Sequence, residues 1–211
     1  MTETLLAEAT ELAKRWAGGA GLQPVSFTLS THELVVVRGR SGSGKSTLLS
    51  LLAGWITPDG GRLDRLGPWG ANSADRTWKG TAIVPQVIAP IIELTMTENV
   101  ALPLRLSGSP RRVANERARL VLDRLDLTDE VDRPASDTSL GQQQRMALAR
   151  AAVIEPVVML ADEPTSHQDA GHIATVLGLM RSMVDNGSCI VVASHDHAVA
   201  DIADRLLDLD R

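Results

Sequence analysis

The chain alternates short, wholly apolar runs with longer stretches in which apolar residues recur every three or four positions. "LVVV" (34–37), "VVML" (157–160) and "CIVVA" (189–193) are continuous runs rich in β-branched residues, and "TAIVPQ" (81–86) is a fourth short strand candidate. Strands apolar on both faces belong in a parallel sheet covered by helices on each side. The helical period predicts "LLSLLAG" (48–54), closing at Gly54, then "TENVALPLRL" (97–106) and "RRVANERARLVLDRLDL" (111–127), separated by "SGSP" (107–110). "LGQQQRMALARAAVI" (140–154) and "AGHIATVLGLMRSMVDNG" (170–187) complete the helices. The pattern is that of an α/β fold with a mainly parallel sheet, into which a helical segment over roughly residues 87–138 is inserted. There is no internal repeat and no low-complexity tract.

The first apolar strand runs directly into "GRSGSGKST" (39–47), which fits G-x-x-x-x-G-K-[ST] from Gly39 to Ser46. Glycines let the backbone turn its N–H groups toward a phosphate, and the helix that begins near Lys45 adds its positive end. Lys45 is placed to reach outer phosphates, and Ser46 to offer a hydroxyl to Mg²⁺. The loop follows a strand and opens a helix, the context the chemistry needs. By itself it indicates a phosphate-binding NTPase and leaves kinases and GTPases open.

A second station narrows the choice. "VVMLADEPT" puts Asp162 and Glu163 at the end of a buried strand, on the sheet edge that lies beside the phosphate loop. Asp162 suits Mg²⁺, which keeps much of its hydration and takes few protein ligands. Glu163, one residue further out, is placed to polarise an attacking water.

Composition adds constraints. The 211 residues are 44% hydrophobic and 22% charged, enough for one large or two small soluble domains. The net charge of −5 speaks against a nucleic-acid partner. With four Trp, one Phe and no Tyr, aliphatic side chains must fill the core. The single cysteine, Cys189, is read as a small buried strand residue rather than a reactive thiol, and fits a reducing compartment. The N-terminus lacks a signal-peptide pattern and no stretch is long and apolar enough to span a bilayer. The chain is expected in the cytoplasm, so a role at a membrane needs a partner that spans it.

Further stations carry a specific resemblance. Gln86 ends "AIVPQ", Asp169 ends "TSHQD", His195 lies in "VVASHD", and "SLGQQQRMALARA" opens the fourth predicted helix. In this order, together with the phosphate loop and the acid pair, they resemble the nucleotide-binding domain of ATP-binding cassette (ABC) proteins over essentially the whole chain. The resemblance implies a single ABC ATPase domain over 1–211: a P-loop NTPase core in about 1–86 and 139–211, an N-terminal antiparallel β subdomain, and a helical subdomain in about 87–138. It implies ATP and Mg²⁺ as cofactors. Gly39, Arg40, Ser41, Gly42, Ser43, Gly44, Lys45, Ser46 and Thr47 would hold ATP. Trp16 stands about where the family stacks an aromatic ring on adenine, and packing under a sheet is the other reading. Ser46, Gln86 and Asp162 would serve Mg²⁺, while Glu163, His195, Gln86 and Lys45 would be catalytic. Two such subunits would sandwich two ATP. Ser139, Leu140, Gly141, Gln142 (the signature) and Asp169 (the D-loop) would act in trans on the partner's nucleotide.

"LTMTENVALPL" and "LADEPT" look most like the compact ATPases of the lipoprotein-releasing and macrolide-exporter type. That implies an ATP-hydrolysing subunit at the inner face of the cell membrane. It would pair with a second copy of itself and drive a separate permease docked near 87–106, in the export direction. The alternatives are a cell-division type ATPase that signals through a membrane partner without transport, and a nucleotide-binding subunit with little hydrolysis. The chain ends about where the family's core ends, without a second cassette. "VIAPII" (87–92) fits a contact surface and equally a core strand edge. A metal pair of His195 and His197 is set aside because the strand ends at the first of them. His167 and His172 are expected to be solvated.

Two elements depart from the family pattern. The usual L-S-G-G-Q reads Thr138-Ser139-Leu140-Gly141-Gln142, and the small-apolar pair of the D-loop reads His167-Gln168. If Leu140 points away from the nucleotide it is tolerated; if its backbone needs φ > 0 it is strained.

Overall fold

A computed structural model describes residues 3–71 and 80–210. Its centre is a five-stranded, all-parallel sheet in the order β5-β6-β7-β3-β8, built from β3 (Leu34–Arg38), β5 (Thr81–Val84), β6 (Val158–Asp162), β7 (Cys189–Ala193) and β8 (Arg205–Asp208). A second, antiparallel sheet, β2-β1-β4, is formed by β1 (Leu5–Arg15), β2 (Gly21–Ser30) and β4 (Gly60–Arg65). The helices are α1 (Lys45–Ala53), α2 (Gly67–Ala71), α3 (Met96–Leu106), α4 (Arg111–Asp123), α5 (Leu140–Ala152), α6 (Ala170–Asp185) and α7 (His197–Asp201).

The three central strands are buried on both faces, and side-chain alternation divides them between two cores. Leu34, Val36, Met159, Ala161, Ile190 and Val192 point to the side packed with α3, α4, α5 and α6. Val35, Val37, Val158, Leu160, Val191 and Ala193 point to the side closed by α1 and the antiparallel sheet. Cys189 belongs to the second core and is fully buried. Burial pushes its thiol pKa far up, so it stays a neutral packing residue.

Most predicted helices end slightly early, for local reasons. The reading of 111–127 as one helix overshoots, because α4 stops at Asp123 and Asp126 takes a left-handed φ of 55°. The helix read over 140–154 ends at Ala152, and the one read over 170–187 ends at Asp185, ahead of Gly187 at φ 106°. The strand read as 157–160 runs instead from Val158 to Asp162, since it keeps pairing with β7 as far as Asp162 opposite Ala193.

The apolar "VIAPII" is not a strand. Residues 85–94 leave β5 and run to the N-terminus of α3, where Thr95 and Glu98 form a reciprocal capping box. Buried Asn99 holds this segment, accepting from the Ile91 N–H (2.9 Å) and donating to the Ile91 carbonyl (3.0 Å). That leaves Val87 82% and Ile92 54% exposed.

Candidate functional site

The parallel sheet carries its chemistry at the C-terminal ends of β3, β5, β6 and β7. β3 runs into the loop 39–44, and Gly44 caps α1 with φ 100° and no side-chain hydrogen bond. A Cβ on Gly44 would sit 2.7 Å from the Gly21 carbonyl oxygen, so position and conformation both demand glycine. The first N–H groups of α1 therefore meet no capping side chain, an arrangement that receives an anion. Lys45 Nζ donates to the carbonyls of Gly39 (2.6 Å) and Arg40 (3.1 Å), folding its charge over the loop. The Arg40 N–H is held by the Asp210 carboxylate (2.9 Å).

Ser46, one residue into α1, donates to Asp162 Oδ2 at 2.6 Å, joining the phosphate loop to the end of β6. Burial raises the Asp162 pKa, the Ser46 hydrogen bond opposes that shift, and Glu163 adds to it. A hydroxyl and a partly buried carboxylate in contact are hard oxygen donors of the kind Mg²⁺ takes.

Glu163 leaves the strand with φ 49°, while its N–H still bonds the Ala193 carbonyl at 2.8 Å. That turn aims its side chain across the end of β7. Oε1 lies 2.7 Å from His195 Nδ1, and Oε2 accepts from Ser194 Oγ at 3.0 Å. The glutamate side chain is 13% exposed and the imidazole 84%. The hydrogen bond to Glu163, then its charge, raises the His195 pKa. Thr165 braces the same corner by donating to Asp196 (2.9 Å). Gln86 is exposed two residues beyond β5, whose last residue, Val84, pairs with Ala161 just before the acids.

Trp16 follows β1. Its indole N–H donates to Thr47 Oγ1 at 3.3 Å, and Lys14 Nζ lies 5.4 Å from the ring centroid. The ring is partly exposed beside the first turn of α1.

The signature residues are elsewhere. Ser139 caps α5, its Oγ accepting from the Gln142 N–H at 3.2 Å, while Gln142 Oε1 accepts from the Ser139 N–H at 2.8 Å. Gln142 Nε2 donates to Glu130 (2.9 Å). Both ends of the Gln142 amide are thus engaged within the chain. Leu140 is the first residue of α5, has no positive φ, and its side chain is 49% exposed. Of the two sequence alternatives, the strained one is excluded. Asp169 caps α6, accepting from the His172 N–H (3.0 Å) and lying 2.8 Å from His172 Nδ1. His172 is accordingly half-buried and paired, whereas His167 is exposed. Among the described residues no hydrogen bond or ion pair joins 139–142 to the phosphate loop or to the two acids.

The sequence did not point to Ser194, Thr165 or Asp196 as supports of the site. A signal exists only for Ser194, a polar residue directly after five apolar ones. The close approach of Gly44 to the Gly21 carbonyl and the positive φ of Glu163 were likewise invisible before folding.

A parallel sheet whose strand end opens into a glycine loop and an uncapped helix, with a carboxylate pair at the end of the next strand but one, defines a P-loop NTPase. A sequence profile of the ABC transporter family matches residues 22–166. The chain belongs to the ABC transporter family, whose ATP-binding domains are ATPases. It is 38% identical over 202 residues to an uncharacterized ABC transporter ATP-binding protein of Mycobacterium tuberculosis, covering 92% of this chain and 61% of that protein. The chain therefore spans about three fifths of that relative's length. It is 35% identical over 217 residues to the lipoprotein-releasing system ATP-binding protein LolD of Hydrogenovibrio crunogenus, covering 97% and 94% of the two. A dimeric ATP-binding cassette solved in a post-hydrolysis state with ADP and Pi superposes with a TM-score of 0.84 at 27% identity, over 98% of this chain and 97% of that one.

Proposed function

We propose that the chain is the ATP-binding and ATP-hydrolysing subunit of an ABC exporter, closing as a homodimer around two ATP and driving a separate membrane permease. The observation that carries this reading is the line of contacts Ser46–Asp162 and Glu163–His195 across the ends of β3, β6 and β7, beside the uncapped start of α1. Likeness to LolD and to a dimeric cassette supports the assembly. The chain is read as one cassette over 1–211, with the α/β core in 1–86 and 139–211 and a helical arm in 87–138.

In this mechanism residues 39–47 cradle the phosphates, and Trp16 stacks on the adenine. Lys45 exchanges its two carbonyl contacts for outer phosphate oxygens. Ser46, Asp162 and Gln86 would hold Mg²⁺, which when bound would supply positive charge beside the phosphates. Glu163 takes the proton from the water that attacks the γ-phosphorus, as the bond to the ADP oxygen breaks. Its partly buried, left-handed position and the hydrogen bond from Ser194 keep the carboxylate pointed at that spot after His195 has moved to the phosphate. His195 exchanges Glu163 for a γ-phosphate oxygen and donates to it. Ser139, Leu140, Gly141, Gln142 and Asp169 complete the partner's site, which agrees with the lack of bonds between them and the in-cis site. Val87, Ile91 and Ile92, on the Asn99-anchored loop, belong to the permease dock in 87–106, at the cytoplasmic face of the membrane.

The test is ATP turnover of the wild type and of Glu163→Gln, each reconstituted with the permease in vesicles. Loss of the base should lower turnover by about 10²–10⁴. Equal, near-zero rates for both would overturn the catalytic reading. Turnover without substrate crossing the bilayer would support the cell-division type of coupling instead.

A further inference from the structure

The two elements that depart from the family pattern touch in the fold, the D-loop at His167 and Gln168 and the signature turn at Gly141. Gln168, in the D-loop, donates from Nε2 to the Gly141 carbonyl at 3.0 Å, and its Oε1 accepts from Arg145 Nη1 at 2.7 Å. Arg145 is buried on α5, and its Nε donates to the Leu125 carbonyl at 2.9 Å. The backbones touch as well, since a Cβ at Gly141 would lie 2.8 Å from the His167 carbonyl oxygen. An apolar side chain at position 168 can make neither bond and would remove the acceptor of one buried guanidinium nitrogen, which is costly.

We propose that Gln168 is a positioning residue that locks the signature turn and the D-loop into one body, so that Ser139 and Asp169 are presented together to the partner's nucleotide. This rests on the reading of the chain as a cassette that dimerises around ATP. Each bond has its own part. The Arg145 bond fixes Gln168 to the interior of α5, and the Gly141 bond ties that anchor to the turn bearing Ser139. Asp169 follows Gln168 directly and caps α6, so the lock continues into the next helix.

The experiment compares Gln168→Leu and Gln168→Glu, both in a Glu163→Gln background that holds ATP unhydrolysed. Leucine removes both bonds. Glutamate keeps the acceptor for Arg145 and loses the donor for Gly141. Hydrogen exchange is followed in peptides covering 139–145 and 166–172 of the nucleotide-free chain, and ATP-driven dimerisation by sedimentation. Gln168→Leu should speed exchange in both segments and weaken ATP-driven dimerisation about tenfold, the loss of one hydrogen bond to a charged group. Binding of a fluorescent ATP analogue to the single chain should change less than about twofold, because the cis residues are untouched. Gln168→Glu should keep the melting temperature near wild type yet loosen 139–145 and weaken the dimer, which a merely structural role for Gln168 would not do. Faster exchange in 166–172 alone, or a dimer affinity that does not move in either variant, would overturn the lock. If the Glu163→Gln parent itself fails to dimerise with ATP, the dimer reading falls, and the exchange data on the single chain still decide whether the lock exists.

Discussion

Gly141→Ala is the most demanding test of the signature turn. Gly141 is the second residue of α5 and its φ is not positive, so glycine is not required there by conformation. On helix propensity alone, alanine would stabilise the site by about 0.5–1 kcal/mol. Space decides otherwise. The new Cβ would lie 2.8 Å from the His167 carbonyl oxygen, against 3.4 Å for ordinary contact, so something must give by 3.4 − 2.8 = 0.6 Å. The opposing atom is backbone, on a residue already at φ 63°, and cannot rotate away like a side chain. Overpacking of this kind costs about 1–3 kcal/mol, which leaves roughly 0–2.5 kcal/mol net after the propensity gain. At about 2–4 °C per kcal/mol for a chain of this size, the melting temperature should fall by no more than about 10 °C. The catalytic effect should be larger than the thermal one. On the proposed reading, the turn carries groups that serve the partner's phosphate, where a 1 Å error costs about 10²-fold, so a shift of over half an ångström should lower kcat by roughly 10–10². The assay is steady-state ATPase against ATP concentration, with melting measured on the same samples. A kcat within about threefold of wild type, a barrier change of about 0.65 kcal/mol, would refute the argument that this close approach sets the trans site.

Leu140→Gly, one position earlier, should behave differently: its backbone is already helical and its side chain half out in solvent, so turnover should change by less than about threefold, and a sharp rise would mean the leucine does impair the signature. Asp162→Asn should raise the melting temperature of the metal-free protein at neutral pH. Its pKa is raised on folding, so it contributes stability below the ordinary carboxylate range that is lost as pH rises through the folded pKa; the asparagine escapes that loss, and thermal melts in EDTA across pH check the sign. The same variant should lose most of the wild type's thermal gain from Mg²⁺ and ATP, which a melt with added Mg²⁺·ATP measures. Cys189 should resist iodoacetamide in the folded chain and react on unfolding, because burial keeps the thiol neutral; mass spectrometry of native and denatured samples distinguishes the two.

The parallel sheet was legible because strands buried on both faces must be apolar along their buried length, and β3, β6 and β7 are, with Arg38 and Asp162 only at their ends. The antiparallel sheet was legible only through the family resemblance. In β1 the buried positions Leu6, Ala7, Ala9 and Leu12 do not alternate, because the register shifts between Leu5 and Ala7 and again between Ala9 and Leu12, where Glu11 takes φ 49°. A bulge breaks the period of two that a sequence reading relies on. At the site, the glycine loop and the acids announce their chemistry in sequence because spacing alone brings them to strand ends. Ser194 beside Glu163, and Gln168 beside Gly141, are joined across 31 and 27 residues of chain, and no local pattern encodes such meetings. The status of Leu140 was likewise undecidable until the capping box at Ser139 placed it in the first helical turn.

The division of side chains along β3, β6 and β7 governs how the molecule fails. Each strand is a common wall of two cores, so neither core can melt and leave the other intact: stripping the helices bares Val36, Met159 and Ile190, on strands whose opposite face holds Val35, Leu160 and Val191. Heat therefore offers no halfway form that keeps the phosphate loop while shedding the helical arm. The phosphate loop and the exposed apolar surface at Val87 and Ile92 are therefore lost in the same cooperative step, and a heat-damaged copy cannot keep one while shedding the other.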